Sequence, residues 1–250
     1  MFGEPRYHFP LVDSTNRAAR DLARSGVPEG TLVTADFQTA GRGRRERRWF
    51  SEKGRNILAS YVLRPSRPRE ESSTLPLLAG VAVAETVFQA CGLQVSLKWP
   101  NDVLAGDAKL AGILVESVAS DECSAVIVGI GVNVNQPVFP QRSRPRPVSL
   151  RGLTGREWPL EDLLAILSRT FEKRYVEWCS DGPASVLAAW RERSTMLGRM
   201  VWLSDDHAAR RVCALDILED GSLLVVDENG NRTAVYAGDV SLSLPAKGER

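Results

Sequence analysis

Residues 95–134 read VSLKWPNDVLAGDAKLAGILVESVASDECSAVIVGIGVNV, and this stretch decides the fold. Residues 95–99 form a strand that runs into the turn Pro100-Asn101-Asp102, because proline holds Trp99 extended. Residues 110–118 and 125–134 are two long apolar β runs joined by the polar turn Ser120-Asp121-Glu122, which predicts a long hairpin. Upstream, residues 75–91 carry apolar side chains at helical spacing and stop at Gly92. Residues 56–63 and 31–37 read as strands. Asp13-Ser14-Thr15-Asn16 supplies cap residues for an alanine-rich helix over 17–24. Downstream, the proline- and arginine-rich residues 137–147 read as a surface loop or linker. Residues 159–178 form an amphipathic helix with a proline at its start, and a shorter helix covers 184–193. After Gly198 come five short β runs with tight turns, the pattern of a small barrel. The expectation is an α+β chain, with residues 1–195 as one domain and residues 196–250 as a small β-barrel.

Composition narrows the function classes. The chain has 250 residues, 43% of them hydrophobic and 25% charged, as in ordinary globular proteins. Its 32 Lys and Arg residues against 31 Asp and Glu give a net charge of +1, which argues against holding nucleic acid through a global positive field. Four cysteines without CxxC or CxxH spacing argue against a structural zinc site and read as buried free thiols in a reducing compartment. His8 and His207 stand near opposite ends without a nucleophile elbow. The N-terminus lacks the apolar core of a signal peptide, and the apolar stretch at 75–95 is interrupted by Glu85 and Gln89. These features predict a soluble, cytoplasmic protein without a membrane span.

Four motifs carry chemistry. Gly41-Arg42-Gly43-Arg44-Arg45-Glu46-Arg47-Arg48-Trp49 sets five arginines against one glutamate, and its glycines let the backbone approach a ligand. Such a loop surrounds an anion with guanidinium forks and N–H groups, or is simply a solvated basic loop. Lys98-Trp99-Pro100-Asn101-Asp102 aims two polar side chains out of a strand end, where they can meet a ligand or magnesium. Lys109 opens the apolar strand Leu110-Ala111-Gly112-Ile113-Leu114-Val115-Glu116, seven residues past Asp102, as if the turn returned it beside that carboxylate. In Gly129-Ile130-Gly131-Val132-Asn133 the glycines leave space for a flat ligand beside the sheet. No third glycine or helix follows, which excludes a dinucleotide fingerprint.

In order and spacing these motifs, with Asp13-Ser14-Thr15-Asn16 and Gln38, resemble the biotin–protein ligases over roughly residues 8 to 245. The resemblance implies a mixed sheet with helices related to class II aminoacyl-tRNA synthetases, followed by an SH3-like C-terminal module. It also implies two reactions. Biotin's carboxylate attacks the α-phosphate of ATP, with Mg²⁺ on the phosphates, to give biotinyl-5′-AMP. A lysine of the biotin carboxyl carrier domain of a carboxylase then takes the acyl group. By the same resemblance Arg42, Lys109 and Asp102 are catalytic. Biotin is read by Ser14, Thr15, Asn16, Gln38, Arg42, Gly43, Arg44, Trp49, Lys109 and Gly112. Arg44, Arg47, Asn56, Asn101 and Asn133 serve the nucleotide, and the metal ligands are unassigned.

Two departures from the family pattern are visible. The first motif begins at Asp13, which predicts a form without the DNA-binding winged helix of some relatives and without specific DNA binding. Glu46 stands where many relatives have glycine, and there it lowers the loop's positive charge and restricts its backbone. The nearest alternative function is a lipoate or octanoate ligase or transferase, which also acylates a carrier lysine. A pure ligand-binding or DNA-binding regulator is the rival outside the enzymes. The sequence leaves monomer and homodimer both open.

Overall fold

The expected hairpin is the spine of the molecule. The computed structural model describes residues 1–120, 123–140, 145–204 and 209–242, so the turn residues Asp121 and Glu122, and also His207, lie outside the described residues. The elements are β1 (Arg6–Phe9), α1 (Thr15–Arg24), β2 (Leu32–Ala35), β3 (Ile57–Leu63), α2 (Leu75–Cys91), β4 (Ser96–Lys98), β5 (Asp102–Ala105), β6 (Ala108–Ser120) and β7 (Cys123–Val132). They continue with α3 (Leu150–Thr154), α4 (Leu160–Asp181), α5 (Ala184–Arg193), β8 (Arg199–Ser204), β9 (Ala209–Ile217), β10 (Leu223–Val226), β11 (Arg232–Val235) and β12 (Asp239–Ser241).

The first seven strands form one mixed sheet in the order β1-β2-β3-β7-β6-β5-β4. Only β1 and β2 pair in parallel; the other ladders are antiparallel. Alternation along the central strands assigns the two faces. Ile57, Ala59, Tyr61 and Leu63 of β3 join the large core with α2 and α4, whereas Val62 packs with Ala19 and Ala23 of α1. Helix α1 covers only one end of its face. Val118 and Ile127 lie beneath it, and the rest of the face, through Leu58, Leu114 and the glycines, remains open as a concavity.

With the turn before it, α2 is long and apolar enough to cross a membrane, but it is the core helix, buried along most of its length. It ends where Gly92 takes the left-handed conformation, φ 70°.

The last five strands form a separate antiparallel sheet, β11-β10-β9-β8-β12. This is the small five-stranded β module expected after Gly198, with β11 and β12 as its outer strands among the described residues. Its inner residues Val201, Leu203, Val212 and Ile217 belong to the same buried cluster as α2 and α4. Trp99, 2% exposed, reaches across and donates from Nε1 to Gly221 O at 3.0 Å. Two sheets thus share one core across the expected boundary near residue 195.

Other readings are corrected by the structure. Strands β1 and β5 and helix α3 were not foreseen. The described residues of 137–147 form the expected surface loop, and its end is tied to β6: Lys109 N donates to Arg146 O at 2.7 Å and Val148 N to Lys109 O at 2.9 Å. Cys91, Cys179 and Cys213 are free, but half-buried rather than fully buried.

Candidate active site

The turn after β4 and the β5–β6 hairpin create the charged centre. Lys98 pairs with Asp102 across β4 and β5, and Asp102 stands opposite Gly112 on β6. A bulge between Val103 and Leu104 lets Lys109 swing back, so its Nζ lies 2.5 Å from Asp102 Oδ1. Lys98 Nζ is 3.8 Å from the other carboxylate oxygen. Burial lowers the Lys98 pKa below the ordinary lysine value, against the pull of Asp102. The Lys109 ammonium also lies 5.7 Å from the centre of the Trp49 ring, within cation–π range.

At the other end of the concavity α1 and β3 build a polar network. Gln38 Oε1 accepts from Thr15 N (2.7 Å) and Thr15 Oγ1 (3.0 Å), so Gln38 rather than Ser14 satisfies the first N–H of the helix. Ser60 Oγ lies 2.8 Å from Thr15 Oγ1 and 2.7 Å from Asn16 Oδ1. Asn16 Nδ2 donates to Leu114 O and to Glu116.

The glycines of β6 and β7 have a definite steric purpose. A Cβ at Gly129 would stand 2.1 Å from Asn16 Oδ1, and one at Gly131 would stand 2.7 Å from the Trp49 ring. At Gly112 it would meet both Lys109 and Trp49 at 3.0 Å. A flat group packed beside Gly112 and Gly131 is the protein's own indole, and Gly112, Gly129 and Gly131 all line the cavity with it.

The arginine loop closes the remaining side. Gly43 N donates to Arg47 O (2.6 Å) and Trp49 N to Gly41 O (2.9 Å), which folds residues 41–49 into a tight lobe. Its left-handed residue is Arg45, φ 52°, so the expected backbone restriction at Glu46 is not where the strain falls; the Glu46 side chain lies outside the described residues. Arg44, Arg45 and Arg47 converge on Asp239 of β12, Arg44 also donating to Gly238 O at 3.2 Å. Burial lowers the Arg44 pKa, although a guanidinium stays charged.

One cavity is lined by Ser14, Thr15, Asn16, Gln38, Arg42, Gly43, Arg44, Arg47, Trp49, Asn101, Asp102, Lys109, Gly112 and Asn133. Asn56 is the sequence-predicted residue the structure leaves outside it. Its amide is spent on Ser51 Oγ, Gln136 Oε1 and Val134 N, holding loops together beneath the site. The Asn101 side chain lines the cavity yet donates to Ile113 O at 2.6 Å, an anchoring contact. Sequence reasoning missed Asp239, Phe50 and Phe139 in the lining. Among the described residues three buried side-chain atoms lack a hydrogen-bond partner, Arg42 Nε, Trp49 Nε1 and Asn133 Oδ1, and all three belong to cavity residues. Buried polar atoms without partners are costly, so this clustering marks a place that a polar ligand completes. His8 is exposed and does not line it.

Comparison with known proteins agrees with this geometry. Residues 8–133 match the biotin/lipoate A/B protein ligase family. A biotin–[acetyl-CoA-carboxylase] ligase of Paracoccus denitrificans is 33% identical over 235 residues, covering 92% of this chain and 97% of that one. The bifunctional ligase/repressor BirA of Bacillus subtilis is 35% identical over 245 residues, 97% of this chain and 75% of BirA. Among solved structures, the biotin protein ligase from Aquifex aeolicus in complex with biotin and ATP superposes with a TM-score of 0.83 at 28% identity, covering 95% of this chain and 98% of that one. With its motifs gathered around one cavity and relatives similar along nearly its whole length, the chain belongs to the biotin/lipoate A/B protein ligase family.

Proposed function

We propose that the chain is a biotin–protein ligase, which condenses biotin with ATP to biotinyl-5′-AMP and passes biotin to a lysine of the biotin carboxyl carrier domain of a carboxylase. The observation that carries this reading is the joining, in one cavity, of a polar network at one end with a lysine–aspartate pair and an arginine loop at the other. The relatives named above as biotin ligases favour biotin over lipoate or octanoate.

Joining two anions requires fixed positive charge where they meet. Arg42, Arg44, Arg47 and Lys109 supply it at the nucleotide end. The Ser14–Asn16 turn and Gln38 read the polar ring of biotin, and Leu58 and Leu114 flank its apolar body. In the second step Asp102 orients the acceptor amine, because an aspartate is too weak a base to deprotonate a free lysine of pKa about 10.4 unaided. Magnesium, where bound, would supply charge neutralisation at the nucleotide phosphates. The cavity carboxylates Asp102 and Asp239 are already paired with lysines and arginines, and no group of three or more His, Cys, Asp or Glu among the described residues could hold a metal. A cytoplasmic setting and the absence of specific DNA binding complete the proposal; the net charge of +1 supports the latter.

Exchange of labelled pyrophosphate into ATP is the test. Exchange dependent on biotin and absent with lipoate or octanoate is expected, whereas exchange driven by lipoate alone would replace this function with its rival.

A further inference from the structure

Glu116, on the same face of β6 as Gly112 and Leu114, is outside the cavity lining and yet engages both of its ends. Its Oε2 accepts from Asn16 Nδ2 at 2.7 Å, and its Oε1 accepts from Arg20 Nη2 at 2.8 Å and from Arg42 Nη2 at 3.2 Å. Asn16 and Arg20 are one turn apart on α1, so the carboxylate pins that helix, the strand and the arginine loop at one point. Two guanidinium groups share a single oxygen, and Arg42 keeps a buried, unpartnered Nε. An arginine held by one nitrogen with an unmet donor beside it is oriented but not satisfied, the condition of a group that waits for an anion.

We propose that Glu116 is a positioning residue for Arg42: it aims the guanidinium at the developing charge of the adenylation step and ties that aim to the Asn16 end of the cavity. This rests on the ligase reading above. The sign of the effect separates positioning from simple charge. Replacing Glu116 by glutamine removes a negative charge from a site for anions, which by electrostatics alone would favour the substrates. A positioning role requires the opposite, a slower reaction despite the more positive site.

The experiment measures biotin-dependent pyrophosphate exchange for wild type, Glu116→Gln, Glu116→Asp, Arg42→Ala and the double variant Glu116→Gln/Arg42→Ala, with thermal melting of each. For Glu116→Gln the expected result is a kcat lower by about tenfold or more, as misplacement of a reacting group costs, with the biotin KM changed less than about threefold. The double variant should be no slower than Arg42→Ala alone, because both changes remove the same contact. Glu116→Asp keeps the charge but loses the reach, so it should resemble Glu116→Gln, and it serves as the test if the glutamine variant fails to fold. An unchanged or raised kcat in either folded variant, or effects that multiply in the double variant, would overturn the assignment. Wild-type protein without biotin-dependent exchange would instead remove the ligase reading, and this inference with it.

Discussion

Lys109 illustrates how much one side chain can be asked to do. It contacts Asp102, lies near the Trp49 ring and sits half-buried at the cavity wall. Lys109→Ala should remove about 3 kcal/mol or more of transition-state stabilisation. The melting temperature should change little, since Lys98 remains to partner Asp102. Pyrophosphate exchange beside a thermal melt checks this; undiminished exchange would take Lys109 out of the site. Lys98 gives a pH signature. Its folded-state pKa is depressed by burial, so the unfolded chain holds this proton more tightly. The penalty of the buried charge is present below the folded pKa and is relieved as pH rises from there towards 10.5, where the unfolded lysine also deprotonates. Stability therefore gains over that window, while Asp102 loses its second cation. The alkaline limb of the exchange profile should begin below 10.5 and move up in Lys98→Arg, which stays charged. Identical limbs in the two proteins would show that Lys98 is a bystander. The Lys109–Asp102 pair was legible because both residues lie in one local hairpin. Glu116 is not legible in this way, since its partners Asn16 and Arg42 are distant in the chain.

At the scale of elements, hydrophobic periodicity read the long pieces and failed on the short ones. Helix α2 was visible from its spacing and its terminal Gly92, and the β6–β7 hairpin from two apolar runs around a polar turn. Strand β1 escaped because it is only four residues long and its middle residues Tyr7 and His8 are exposed; its ladder to β2 is what makes it a strand. Strand β5 was hidden behind a motif that reads first as a turn. The glycines were legible as a request for space, but not for what fills it. A methyl group at Gly129 meets Asn16, whose amide is locked by Ser60, Leu114 and Glu116, whereas one at Gly131 meets the edge of Trp49. Gly129→Ala should therefore destabilise the protein, by about 1–3 kcal/mol as overpacking typically does, and weaken biotin binding as well. In Gly131→Ala the indole is the group that must shift, so biotin affinity should fall more than stability. Calorimetric titration of biotin with parallel denaturant melts separates the two; losses in the same ratio for both variants would contradict this division.

The whole molecule adds what no local reading contains: the C-terminal sheet reaches back to the site. Removing that sheet would strip cover from Trp99 and the shared core, so truncation confounds folding with function, and Asp239 is the cleaner point of attack. Three arginines of the 41–49 loop converge on its carboxylate. Individual exposed ion pairs are worth only about 0–1 kcal/mol, but three on one acceptor act on the same loop. With five arginines against one glutamate in the loop, a single added carboxylate leaves it net positive, which favours phosphates. The expected role of Asp239 is to hold the loop against the C-terminal sheet, a duty that a bound anion would take over. Trypsin cleaves after arginine and reports loop opening directly. Without ligand, Asp239→Asn should be cut between residues 42 and 48 several-fold faster than wild type. Raising salt should speed cleavage of wild type towards that of the variant, because screening weakens the pairs, and should change the variant little. Biotin with ATP should protect both proteins, since the adenylate supplies the missing anion. Equal cleavage of the two unliganded proteins at low salt would show that the loop is held by its own Gly43–Arg47 and Gly41–Trp49 backbone contacts, and that the C-terminal sheet contributes shape but no latch.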